Sequence, residues 1–338
     1  MTDRAAGADR FLAGAGWGAA TRRHLAGDAS DRRYSRLHLA DRTAVLMDSP
    51  PGGADDVLAF VTMARHLRGL GLSAPEVLAK DLADGFLLLE DLGDGLLARL
   101  LATNPDREAA LYAPAVDVLH HLQSVPVPLD LPDLSPADWA QAAGLAVDCY
   151  AFAATFCRPD PEPLLSALAA ALAAHADGPR VLILRDFHAE NLLWLPERTG
   201  LARVGLLDFQ LGQMGQPGYD LVSLLQDARR DVTTATESAM IARFVAATGA
   251  DARTFAAQYA VLGTQRALRI LGVFARLCLT AGKPGYLRLI ARVWGQLQRN
   301  LLHRALTDVR AECARLLPEP TPEILKRIES QCATSSFR

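Results

Sequence analysis

Hydrophobic and polar positions change their spacing along the chain, and the change marks out two regions. Arg33 to Leu39 and Thr43 to Asp48 are short runs of apolar, aromatic and β-branched residues on either side of Ala40–Arg42, the pattern of a hairpin. From Asp55 to Leu70, the residues Val57, Phe60, Val61, Ala64 and Leu67 recur at the three-to-four spacing of a helix. Glu76 to Ala79 and Phe86 to Leu89 then flank an Asp-Leu-Ala-Asp-Gly turn, a second hairpin. The pattern predicts strand, strand, helix, strand, strand up to Leu89: a small sheet with one helix against it.

After Asp91-Leu-Gly-Asp-Gly95 the spacing turns helical and the composition rich in Ala and Leu, at roughly 96–103, 105–124, 136–157 and 162–176. Prolines at 126, 128, 132 and 136 separate the second stretch from the third. Two short apolar strands, Val181–Leu184 and Arg203–Leu207, interrupt the helices, which return at 219–227, 235–247, 251–279 and 284–317. Pro318 opens a tail expected to be frayed apart from one short helix. The expected organisation is a β-rich N-terminal nucleotide-binding lobe over residues 1–92, a larger, mainly helical lobe over 93–317 carrying catalysis and substrate binding, and a tail over 318–338.

Composition narrows the function classes. Half of the 338 residues are hydrophobic and 22% are charged, with 35 basic against 38 acidic side chains and a net charge of −3. That balance is ordinary for a globular protein and argues against one that coats nucleic acid, which needs a surplus of cations to displace counterions. Only three of the basic residues are lysines, Lys80, Lys283 and Lys326, and none is followed by Ser or Thr. The phosphate-cradling loop that ends in Gly-Lys-Ser/Thr is therefore absent, and lysine Schiff-base chemistry has almost nowhere to sit.

Five cysteines, at 149, 157, 278, 313 and 332, include no Cys-x-x-Cys pair. They read as reduced thiols buried as small hydrophobes in a cytoplasmic protein, without a structural zinc. The N-terminus carries Asp3 and Asp9 and lacks the apolar core of a signal peptide. The longest charge-free run, Pro163–Ala176, is short of the ~18–20 residues of a membrane span. A monomer or weak dimer, engaging neither nucleic acid nor membrane, is expected.

The chemistry concentrates in Leu184-Arg-Asp-Phe-His-Ala-Glu-Asn191. Asp186 leaves an apolar strand and Asn191 follows five residues later, which puts a carboxylate and an amide oxygen on one tight loop. A second strand, Val204-Gly-Leu-Leu-Asp208-Phe209, supplies another carboxylate at its end. One carboxylate can accept a proton while the other carboxylate and the amide oxygen hold Mg²⁺, a hard cation that prefers oxygen. Two unrelated acidic strand ends with a capping Asn would show the same spacing, because Asp and Asn are common in loops.

Context distinguishes the two. Asp186, Asn191 and the Asp208-Phe209 pair resemble the Asp-x-x-x-x-Asn catalytic loop and metal-binding Asp-Phe of kinase-like phosphotransferases. The glycine-rich stretch leading into Pro217-Gly-Tyr-Asp220-Leu-Val-Ser-Leu224 is similar to a segment of the aminoglycoside and choline kinase families. So is Leu87-Leu-Leu-Glu90-Asp91-Leu92-Gly93, which resembles their hinge. Leu25-Ala-Gly-Asp-Ala-Ser-Asp-Arg-Arg-Tyr-Ser-Arg36, Ala44-Val-Leu-Met-Asp-Ser-Pro-Pro51 and Leu184 to Leu195 look more narrowly like the bacterial anomeric kinases of N-acetylmuramate and N-acetylglucosamine. The likeness runs from about Phe11 to about Arg304.

The resemblance implies an α+β, bilobal protein-kinase-like fold and an ATP- and Mg²⁺-dependent sugar kinase acting on the anomeric hydroxyl of those amino sugars in peptidoglycan recycling. An aminoglycoside or amino-alcohol phosphotransferase and a non-catalytic nucleotide-binding pseudokinase are the rivals. Asp186 would be the catalytic base, Asn191 and Asp208 the metal ligands, and Asp220 a structural acceptor for the catalytic loop. Adenine would meet the main chain near Glu90 and Leu92.

Two features depart from the family pattern. Leu184 stands where these families usually have His, and the strand Thr43–Asp48 lacks the phosphate-binding lysine. Gly27, Asp28, Ala29 and Ser30, with Arg32 or Arg33, are expected to take over that lysine's task through backbone N–H groups and a guanidinium. For the acceptor, Arg185, His188, Arg229, Arg230 and Arg266 are the candidates, an Arg being suited to the lactyl carboxylate of N-acetylmuramate.

Overall fold

The computed structural model describes residues 2–27, 32–51, 57–127 and 130–333. They fall into two compact units, Met1–Val118 with Ala189–Gly212, and Leu119–His188 with Gln213–Arg338.

In the first unit the alternating runs form an antiparallel sheet of β1 (Thr21–Gly27), β2 (Arg33–Leu39), β3 (Arg42–Asp48), β4 (Val77–Asp81) and β5 (Phe86–Glu90), in the order β1-β2-β3-β5-β4. Leu46 lies opposite Leu88, and the period of two sends Leu37, Ala44, Leu46, Phe86 and Leu88 to one face. There they bury Ala8, Leu12 and Trp17, with Phe11 stacked on Phe86 at 5.7 Å between ring centroids. The helix Thr2–Gly14, which supplies Ala8, Phe11 and Leu12, and β1 itself were not expected. Few apolar residues mark the helix, and β1 reads Thr-Arg-Arg-His-Leu-Ala-Gly, without the alternation that reveals a strand. The expected helix is present as Val57–Gly69 and buries Phe60, Val61, Met63, Ala64 and Leu67.

Four short strands follow: β6 (Val181–Ile183), β7 (Leu192–Trp194), β8 (Val204–Leu206) and β9 (Gln213–Gly215). β7 pairs with β8 in the first unit, and β6 with β9 in the second. The β7–β8 hairpin is held by Ser73, whose carbonyl accepts from Leu206 N at 2.9 Å and whose hydroxyl donates to the Ala202 carbonyl at 2.6 Å. These bonds, with Phe209 packed on Phe60 at 4.9 Å, explain why the first unit reclaims residues 189–212, in contrast to a boundary near residue 92. β7 follows directly on the Asp186–Asn191 motif and β9 lies inside a glycine-rich stretch, and neither was expected as a strand.

The second unit is built round the helix Ala252–Ala281, capped by Asp251, whose carboxylate accepts from Thr254 N at 2.8 Å. The expected helix at 136–157 is broken. Pro136–Ala143 starts on a capping box between Ser135 and Asp138, a π-helical segment covers Ala146–Ala151, and Phe152–Thr155 ends at left-handed Phe156. The expected helix at 284–317 divides into Ile290–Leu301 and Thr307–Leu316.

Two expectations are corrected. The tail is not frayed through residue 333: its helix Pro322–Glu329 buries Ile328 completely, and Tyr150 Oη donates to the Pro318 carbonyl at 2.7 Å. Nor are all the cysteines reduced, since Cys278 and Cys332 form a disulfide with Cα atoms 4.9 Å apart. The pair is 54 residues apart in sequence and meets only because the tail folds back on the long helix. Cys149 and Cys313 are buried free thiols, whereas Cys157 is exposed. Among the described residues no helix is long and apolar enough to cross a membrane.

Gly272, inside the long helix, lies so close to the main chain of Leu145 that a Cβ would overlap it. Gly272→Ala gains helix propensity of less than ~1 kcal/mol and forces rigid backbone apart at a cost of ~1–3 kcal/mol. We expect a net loss of about 1–2 kcal/mol in urea unfolding, with the m-value unchanged.

Candidate active site

The residues singled out from the sequence fall into two sets, one in each unit. In the second unit, β6 runs into Leu184, Arg185 and Asp186. Asp186 N donates to the Leu184 carbonyl at 2.9 Å around Arg185, which sits at φ +72°, the form of a γ-turn. A left-handed conformation at a residue other than glycine costs ~1–3 kcal/mol and persists only when its surroundings impose it. Here they do. Asp220, in the first turn of the helix Tyr219–Leu225, is fully buried and accepts from Leu184 N at 2.6 Å and from Arg185 N at 2.9 Å. Ser223, one helical turn on, donates to the Arg185 carbonyl at 3.2 Å. Burial pushes the Asp220 carboxyl up to about 7, against the pull of the two N–H groups.

His188 is buried on the same loop, its Nε2 3.2 Å from Arg229 Nη1. A guanidinium only donates, so Nε2 accepts and the imidazole is neutral with its hydrogen on Nδ1. Burial, followed by the charges of Arg229 and Arg266, holds its pKa well below the usual histidine value. Arg229 is half-buried, and its N–H donates to Asp227 Oδ1 at 2.8 Å. Asp227 is itself buried, and burial raises its pKa. Arg230 is half-buried next in line. Arg266 is buried in the long helix and donates to Ser223 Oγ at 3.0 Å and to the Gln226 carbonyl at 3.1 Å, so its terminal nitrogens face the helix that carries Asp220.

In the first unit, Asn191 and Asp208 are brought together by the β7–β8 pairing: Leu207 N donates to the Asn191 carbonyl at 2.9 Å. Asp208 is left-handed, at φ +56°, and the Phe209 ring after it is anchored on Phe60. Its Oδ1 accepts from Gln210 Nε2 at 2.8 Å and from Arg32 Nη2 at 3.2 Å. Arg32 is buried, with Nη1 3.4 Å from Tyr34 Oη, whereas Arg33 is exposed at the start of β2 opposite Gly27. Asp28, Ala29 and Ser30 lie outside the described residues. A carboxylate and an amide oxygen on adjacent strand ends fit Mg²⁺, which takes one or two protein carboxylates and completes its shell with substrate phosphates and water.

The hinge segment is tied down on both sides. Glu90 pairs with Arg198 and, at 3.2 Å, with Arg68, while its main-chain N–H donates to the Glu76 carbonyl at 2.8 Å. The side chain of Glu90 and its N–H are thus engaged within the unit. Arg36 reaches from β2 to Asp91 at 3.0 Å and Asp94 at 2.7 Å, on either side of Leu92, which is half-buried.

Ser223 and Gln210 escaped the sequence reading. Ser223 lies three residues after Asp220, so helical spacing alone would have put both on one face. Gln210 carries no signal beyond its place after Asp208-Phe209.

The antiparallel sheet of the first unit and the mainly helical second unit give the chain the protein-kinase-like α+β fold expected from sequence. Residues 21–259 match the phosphotransferase enzyme family termed APH, and the chain belongs to that family. A Caulobacter vibrioides protein named N-acetylmuramate/N-acetylglucosamine kinase is 37% identical, over 95% of this chain and 98% of its own length. A Pseudomonas aeruginosa protein of the same name is 33% identical over 90% and 91%. Among solved structures, the GDP complex of aminoglycoside 2'-phosphotransferase-IIIa superposes with a TM-score of 0.58 at 18% identity, covering 83% of this chain and 92% of that one.

The neutral, buried His188 has a sign-defined consequence for stability. Its folded pKa lies below the ordinary 6.5, so the unfolded chain binds the proton first and stability is lost as pH falls below about 6.5. His188→Gln keeps an acceptor for Arg229 and removes the titration. We expect urea unfolding between pH 7.5 and 5 to show a shallower acid loss in the variant, by up to about 1.4 kcal/mol per pH unit.

Proposed function

We propose that this chain transfers the γ-phosphoryl group of ATP to the anomeric hydroxyl of N-acetylmuramate or N-acetylglucosamine, returning cell-wall amino sugars to the phosphorylated pool of the cytoplasm. The observation that carries the reading is the 37% identity, over nearly the full length of both chains, to a kinase of that name, in a sequence that retains Asp186, Asn191 and Asp208. Asp186 takes the proton of the acceptor hydroxyl as its oxygen attacks the γ-phosphorus, and ADP leaves. The anomeric hydroxyl is more acidic than an ordinary alcohol, so a carboxylate is a sufficient base. Asn191 and Asp208 would hold Mg²⁺, which when bound neutralises charge on the phosphates.

Arg32 is the replacement for the missing lysine. It is the cation that already lies on the Asp208 carboxylate, and a guanidinium forks onto phosphate oxygens as readily as onto a carboxylate. We assign the task to Arg32 rather than to Arg33, which is exposed on β2. Arg229 and Arg230 are the candidates for the lactyl carboxylate. His188 orients Arg229 by accepting from it.

Coupled ADP release over a panel of acceptors tests the reading. Release is expected with N-acetylmuramate or N-acetylglucosamine, and release only with an aminoglycoside or choline would overturn it. Asp186→Asn should lower kcat by at least ~10²-fold while nucleotide still binds. Arg32→Ala should raise the KM for ATP ~10- to 100-fold, the loss of one charge-assisted contact, and Arg33→Ala should leave it near wild type.

A further inference from the structure

We infer that Ser223 and Arg266 are positioning residues for Asp186, acting through the main chain of Arg185; the inference rests on Asp186 being the base. The direction of this strut follows from donor chemistry. Arg266 cannot accept, so the Ser223 oxygen receives its Nη2–H at 3.0 Å, and the single hydroxyl hydrogen of Ser223 is left for the Arg185 carbonyl at 3.2 Å. Asp220 holds the N–H of Arg185 and Ser223 holds its carbonyl. Both peptide planes flanking the left-handed residue are therefore fixed, which fixes the direction in which Asp186 leaves the turn.

The far end of the strut is anchored as firmly. Ser223 is fully buried and Arg266 nearly so, and a guanidinium is retained in such a place only when its donors are met. Nη1 donates to the Gln226 carbonyl at 3.1 Å, and the Gln226 side chain exchanges two hydrogen bonds with Asn300, at 3.0 and 2.8 Å. Gly263 makes that amide pair possible, since a Cβ there would run into both side chains. The charged and ionisable groups facing Arg266 include Tyr219, Asp227, Asp186 and Asp220, which favour its charge, and Arg269 and His188, which oppose it when charged. A chain of contacts thus leads from the long helix, through the helix of Asp220, to the catalytic loop.

The test compares wild type with Ser223→Ala and Arg266→Lys. Lysine keeps the charge and lacks the fork that reaches Ser223 and Gln226 together. Steady-state kinetics are read beside amide hydrogen exchange by NMR, with exchange in Ala252–Ala281 as the check that each variant is folded. Expected are a kcat lower by ~10- to 100-fold with little change in either KM, and faster exchange at Arg185 and Asp186 while the long helix is unaltered. An unchanged kcat, or unchanged exchange at those two amides, overturns the inference. Should wild type turn over no amino sugar, the proposed function fails by itself, and the exchange comparison still decides whether the strut exists.

Discussion

Two main-chain N–H groups, those of Leu184 and Arg185, converge on the buried carboxylate of Asp220, and the conformation of the loop that carries Asp186 follows from that convergence. Without it Arg185 would relax out of the left-handed region, and Asp186 would leave the strand in another direction. The arrangement lowers stability. A carboxyl whose pKa rises from 3.8 to about 7 on folding destabilises the folded chain as pH climbs through that interval, by on the order of 4 kcal/mol at the upper end. That value already includes the pull of the two hydrogen bonds from the loop. What they secure is geometry, and geometry is what a phosphoryl-transfer site needs most, because little covalent chemistry is left to the protein.

A second constraint is the near-absence of lysine. With three lysines in the whole chain, the cationic work of the first unit passes to arginines that bridge two acceptors at once. Arg36 joins Asp91 and Asp94, Arg68 joins Glu90 to Glu76, and Arg32 lies on Asp208. The exposed pairs of Arg68 are individually weak, commonly below ~1 kcal/mol. Arg32 is buried, so its charge must be met by Asp208 or by an incoming anion. That requirement links the departure in β3, where the family lysine is missing, to the residue best placed to compensate for it.

Much of the first unit was legible because its strands and helix follow simple periods, as β2, β3, β5 and Val57–Gly69 show. What escaped had a physical reason. β9 lies inside a glycine-rich stretch, β1 opens on four polar residues without alternation, and the breaks at residues 144–157 and 284–289 lie where the chain packs onto the long helix. The motif residues Asp186, Asn191 and Asp208 stood out through strand ends and spacing. The residues that hold them, Ser223, Gln210 and Arg266 as a strut, have ordinary side chains whose roles depend on contacts between distant segments. The Cys278–Cys332 bond belongs with these, since nothing in the spacing of two cysteines announces it.

A base proposed at Asp186 is suited to an unusually acidic hydroxyl, and the position of the phosphate on the product reports on that directly. Phosphorus NMR of the sugar product, formed from ATP and N-acetylmuramate or N-acetylglucosamine, is expected to show a phosphomonoester signal coupled to the proton on C1. A signal coupled to the C6 protons would contradict it, as would ADP formation without any sugar phosphate.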